Sequence, residues 1–150
     1  WKHYLICNSI NLFRWIIDSR SFIRQIMNRN ELTKIYKDYN LSEKDIYKDK
    51  RGFVIITRSG VESIQLQKNI QVEYEVICCS LENVVIKASS YLQDQDGEWL
   101  KQMETFGSAS TENCRQNFKV EIAEKRALAR VIIKTIGLFN TYGKDELDHQ

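Results

Sequence analysis

The sequence predicts an α+β domain: an antiparallel β-meander of three to four strands packed on a long C-terminal helix, with helices at the N-terminus. Three observations predict it. Three β-like runs between residues 70 and 106 are joined by short polar turns. A long helical period follows from about Gln116 to Ile136 and stops at Gly137. Before residue 40 the apolar residues recur at helical spacing.

Each element has its own signal. Over residues 9–27, Ile10, Phe13, Ile17, Ile23 and Ile26 fall near helical spacing. Residues 30–38 read as a second helix with Asn30 as N-cap. Ser42-Glu43-Lys44-Asp45 has the form of a capping box and predicts a short helix after it. Phe53-Val54-Ile55-Ile56-Thr57 is a β-branched run ending at Ser59-Gly60, which suits a buried strand. A helical turn is expected over residues 61–68. Over residues 70–78, Val72, Tyr74 and Val76 alternate with Gln71, Glu73 and Glu75. Ser80 to Asn83 reads as a turn, Val84 to Leu92 as a strand, and Gln93 to Gly97 as a polar turn. A third strand follows over residues 98–106, and Phe106-Gly107-Ser108-Ala109-Ser110 is expected to break it. The tail from Tyr142 is acidic and is expected to fray.

The domain boundaries follow: an N-terminal extension over residues 1–26, a core over 27–141 and an acidic tail over 142–150. The first Met is Met27, and the segment before it is basic and apolar, resembling an amphipathic helix or a presequence.

Composition narrows the function. Only His3 and His149 are present, so a His-based triad or a His-rich metal site inside the domain is not expected. Cys7, Cys78, Cys79 and Cys114 contain no C-x-x-C pair, which argues against zinc. They suit buried free thiols in a reducing compartment. No run of roughly 18 apolar residues exists to span a membrane. The net charge is only +2, which excludes a histone-like polycation. Its distribution is uneven. Residues 1–30 carry net +4, residues 31–114 net −4, residues 115–134 net +4 and residues 135–150 net −2.

The last helix therefore carries the functional signal. At about 100° per residue, Phe118, Ile122, Ala129, Ile133 and Ile136 form a stripe expected to pack on the sheet. Arg115, Lys119, Arg126, Arg130 and Lys134 lie on the flank beside it. Ala123 and Ala127 share that flank and should keep it shallow. A row of guanidinium and ammonium groups suits the phosphates of a nucleic-acid backbone. Phe53, Tyr91 and Trp99 are candidates for stacking on bases. Arg58, Lys87 and Lys101 are candidates for a second DNA-contacting surface.

Residues 104–137, ETFGSASTENCRQNFKVEIAEKRALARVIIKTIG, are similar to the core of single-strand annealing recombinases of the Rad fifty-two superfamily. There a β-meander leads through a Gly/Ser-rich turn into a helix with a Lys-Arg-Ala-Leu-x-Arg signature ending in Gly. The matching residues are Lys125, Arg126, Ala127, Leu128, Arg130 and Gly137. Gly52 to Gly60 also resembles the ordered start of phage and bacterial members. The resemblance covers roughly residues 45–146. Ile122-Ala123-Glu124 stands where the eukaryotic branch has a Thr-Asp pair, which favours a phage or bacterial relation.

The resemblance implies a ring or helical filament of identical protomers that binds single-stranded DNA in a basic groove. Lys125, Arg126 and Arg130 would line that groove. Complementary strands would be annealed with no bond made or broken, and with no nucleotide or metal cofactor. It also implies a bacterial or phage-infected cytoplasm, and partners such as a single-stranded-DNA-binding protein or an exonuclease. Arg126→Ala with Arg130→Ala is then expected to weaken DNA binding without unfolding the chain.

Two rivals stand beside this. Asp94, Asp96, Glu98 and Glu104 could hold Mg²⁺ in a nuclease, although Asp94 to Glu98 also suit a solvated turn. Residues 1–27 could serve a membrane-surface or partner-binding module.

Overall fold

The computed structural model describes residues 29–48, 54–139 and 141–144. The proposed N-terminal helix over residues 9–27, the extension ending at residue 26, and Phe53 lie outside them. The chain order is α1 (Arg29–Asp38), β1 (Ile46–Lys48), β2 (Val54–Ile56), α2 (Arg58–Gln67), β3 (Gln71–Cys79), β4 (Asn83–Gln93), β5 (Trp99–Ser110), α3 (Lys119–Thr135) and β6 (Thr141–Gly143). Two three-stranded sheets result, ordered β1-β2-β6 and β3-β4-β5. The molecule is α+β, and the long C-terminal helix packs on the meander as the sequence predicts.

Asn30 lies inside α1 and not at its cap. Half of the Ser42–Asp45 box forms: Asp45 accepts hydrogen bonds from the Ser42 amide at 3.0 Å and its hydroxyl at 2.7 Å, while the Asp45 amide donates to the Ser42 backbone carbonyl oxygen. A turn and β1 follow in place of a helix, because Ile46 is buried in an antiparallel pairing with Ile56. Thr57 caps α2, its hydroxyl accepting from the Gly60 amide at 3.4 Å. Gly60 lies inside the first turn of that helix, which begins earlier than the pattern suggests. A Cβ there would lie 2.8 Å from the Asp45 carbonyl oxygen, so the close approach of the two segments needs glycine.

The meander is antiparallel throughout, with a register shift in β3 between Val76 and Cys78. Its β4–β5 turn is closed by Asp94, whose Oδ1 accepts from the amides of Asp96 and Glu98, each at 2.9 Å. Gly97 takes the positive φ of 87° that this turn requires. The expected break at Phe106–Ser110 does not occur, and β5 runs on to Ser110. Small residues there serve packing. Gly107 faces α3, and a Cβ on it would run into the Ala123 carbonyl oxygen and the Ala127 backbone nitrogen. Thr105 donates to the Ala127 carbonyl oxygen at 3.3 Å.

α3 is shorter at its start than the period suggests, so Arg115 lies in the preceding loop. Its end matches the expectation. Gly137 adopts φ 80°, and the Leu138 amide donates to the Ile133 carbonyl oxygen at 3.1 Å. The chain then turns back as β6, parallel to β2, with Tyr142 opposite Ile55. Residues 142–143 thus belong to a sheet and are not a frayed tail.

One apolar core joins both sheets through α3. It includes Ile35, Val54, Ile56, Ile64, Val84, Ile86, Val131, Ile132 and Ile133. Removing such side chains from water is the main stabilising contribution, roughly 25 cal/mol per Å².

Candidate nucleic-acid interface

α3 lies along β5, and β5 is the last strand of its sheet, so among the described residues one edge of it has no strand partner. Unpaired edge carbonyls invite association unless something covers them. Two arginines of α3 reach them. Arg126 donates to the Ser108 carbonyl oxygen at 2.6 Å, and Arg130 to that of Phe106 at 3.3 Å.

Arg126 goes further. It also donates to Asn113 Oδ1 and to the Asn113 carbonyl oxygen, both at 3.0 Å. Asn113 in turn accepts from the Ser110 amide at 2.8 Å. Arg126 therefore ties the β5–α3 loop to the helix, and it is only 7% exposed. This corrects the sequence expectation. The residue is part of the built structure and does not line an open groove. The double substitution of Arg126 and Arg130 would test folding as much as binding.

Further corrections follow from helix geometry. Ala123 and Ala127 are fully buried under β5, and so do not form the floor of an open flank. The spacing puts Phe118 on the packing stripe, yet it is 54% exposed, because α3 begins only at Lys119. Lys125 lies about 140° round the helix from Arg130, so Lys125, Arg126 and Arg130 do not share one groove.

By helix geometry Lys119, Arg130 and Lys134 fall within about 60° of arc, spread over about 22 Å of helix along the margin of the β5 contact that buries Ala123, with Arg130 exposed and both lysines half-buried. Arg115 is exposed four residues before Lys119. Arg115, Lys119 and Lys134 meet no carboxylate among the described residues.

The other candidates lie elsewhere. Lys87, Tyr91, Trp99 and Lys101 occupy the sheet face opposite α3, as the pairing of Lys87 with Phe106 and Tyr91 with Lys101 requires. That face is locally neutralised. Lys87 pairs with Glu75 and, at 3.5 Å, with Glu104, while Lys101 pairs with Glu104 at 2.6 Å. The Lys101 hydrogen bond holds the Glu104 carboxyl below the usual carboxylate range. The Glu75 contact raises the Lys87 ammonium, and a hydrogen bond to Glu73 raises the Tyr91 hydroxyl. Tyr91 and Trp99 are half-buried there and do not flank the α3 cations. Arg58 pairs with Glu62 at 2.7 Å on α2. Arg58, Lys87 and Lys101 thus do not form a second cationic surface.

Sequence reasoning missed a cleft of about 770 Å³ at the N-terminal end of α3. It is lined in part by Cys79, Leu81, Val84, Phe118, Lys119 and Val120. The available signal was an aromatic residue directly before the basic row. Among the described residues no group of three or more His, Cys, Asp or Glu is placed to hold a metal ion. No described helix is long and apolar enough to cross a membrane.

Comparison with protein-family models, curated proteins and solved structures finds no match for this chain.

Proposed function

We propose that the chain binds single-stranded DNA along the α3 flank formed by Lys119, Arg130 and Lys134, with Arg115 beside it. On this reading it anneals complementary strands as a ring or filament of identical protomers, in the manner of the family it resembles. One observation carries the reading. Arg115, Lys119 and Lys134 meet no carboxylate among the described residues, whereas Arg58, Lys87 and Lys101 each do. Cations without an internal counter-charge gain most from a polyanion, by releasing its condensed counterions. Contacts of this kind hold a strand without reading its sequence, which annealing requires. The reaction makes and breaks no bond, so it needs neither a nucleotide nor a metal.

The test is an annealing assay with two complementary dye-labelled strands. Wild-type protein is expected to accelerate pairing without ATP or divalent ions. The Arg115→Ala/Lys119→Ala/Lys134→Ala variant is expected to lose most of that acceleration while melting like the wild type. Equal acceleration by both proteins would remove this flank from the mechanism.

A further inference from the structure

A cleft lies at the start of α3, beside the cationic row. Its walls come from the β3–β4 hairpin, through Cys79, Leu81 and Val84, and from Phe118 and Val120 at the helix start. These apolar residues share the lining with Ser80, Asn117, Lys119 and Glu121, and part of the apolar surface faces solvent. Phe118 is 54% exposed and Leu81 95% exposed. Both side chains line the same cleft, which leaves apolar surface open to a flat ligand there.

Its charge setting selects the ligand. Lys119, the first cation of the row, is also part of the cleft wall. Glu121 is the single acidic residue of the lining. Further along the same flank come Arg130 and Lys134. A strand whose phosphates follow this row passes the mouth of the cleft at Lys119. It then presents an uncharged, flat, aromatic base to an exposed phenyl ring.

We infer that the cleft is a base-stacking subsite for single-stranded DNA, with Phe118 as the platform and Lys119 holding the adjoining phosphate. The inference rests on the proposed function and assigns its base contact to a residue outside the basic signature. Stacking on an aromatic ring accepts any base, because every base has a π-face. The subsite would therefore hold the strand without imposing sequence. It would also separate single strands from duplex, whose bases are already stacked.

The experiment uses the full chain and two labelled oligonucleotides of equal length, one of thymidine and one fully abasic, read by anisotropy. Wild type is expected to bind the thymidine strand more tightly than the abasic one. Phe118→Ala is expected to weaken the thymidine strand by roughly 5- to 100-fold and to leave the abasic strand unchanged. Phe118→Trp is expected to keep the affinity and to show emission quenched by DNA, measured against wild type. Equal wild-type binding of both oligonucleotides, or an unchanged thymidine affinity in Phe118→Ala, would overturn the subsite while leaving the phosphate flank intact. A Phe118→Ala variant that loses self-association and keeps its DNA affinity would overturn it too, and would assign the cleft to a second protomer. Binding of neither oligonucleotide by wild type would overturn the proposed function itself.

Discussion

Arg126 and Lys134 stand eight residues apart on the same helix, and their surroundings set them apart. The Arg126 guanidinium is shared between Ser108 and both oxygens of Asn113, away from water. Truncation would strand those acceptors. Arg126→Ala is expected to cost about 2–4 kcal/mol of stability, seen as a lower urea midpoint. Lys134→Ala is expected to stay within about 0.5 kcal/mol. A titration offers a separate check at this scale. Partial burial of the Tyr74 side chain, which stays 42% exposed, reinforced by the Glu124 carboxylate, pushes its hydroxyl up to about 12. Because the folded value exceeds the ordinary 10.0, the contribution of this group is complete below pH 10 and is lost as pH rises toward 12. Ultraviolet titration should show a late tyrosinate component near pH 12 that Tyr74→Phe removes.

At the scale of elements, the contact between β5 and α3 depends on the absence of a side chain. Gly107→Ala would drive a methyl group into the α3 backbone, and the helix would have to move off the strand. A loss of about 3 kcal/mol or more is expected, measured by chemical denaturation. The β1–α2 junction depends on a carboxylate. Hydrogen bonds from Ser59 and Ser42 lower the Asp45 carboxyl below its ordinary value of 3.8. Its contribution is present above that value and lost as pH falls below it. Ser59→Ala should therefore narrow the stability difference between pH 7 and pH 3.

These same elements show how much of the fold was legible. The alternation over Val72, Tyr74 and Val76 and the Gly137 stop were local signals, and the structure contains both the strand and the stop. Three-residue β1 and β6 were not legible, since each exists only through pairing with β2. The Gly-Ser run after Phe106 misled because a breaker and a close-packing residue are the same residue type. In the candidate site, spacing placed Lys119, Arg130 and Lys134 together. It could not foresee that Arg126 would be claimed by Asn113, a partner 13 residues away in sequence.

For the whole molecule, charge is sorted by location. Carboxylates of β3 and β5 neutralise the lysines of the sheet face opposite α3, while Arg115, Lys119 and Lys134 meet none among the described residues. The measurement that tests the central claim most directly is anisotropy of labelled single- and double-stranded oligonucleotides across a salt series. Tight single-strand binding that weakens steeply with salt is expected, and the Arg115→Ala/Lys119→Ala/Lys134→Ala variant is expected to lower the slope of log affinity against log salt by about 2. No binding of either form at low salt would contradict that claim, and the α3 cations would then be a solvated helix face.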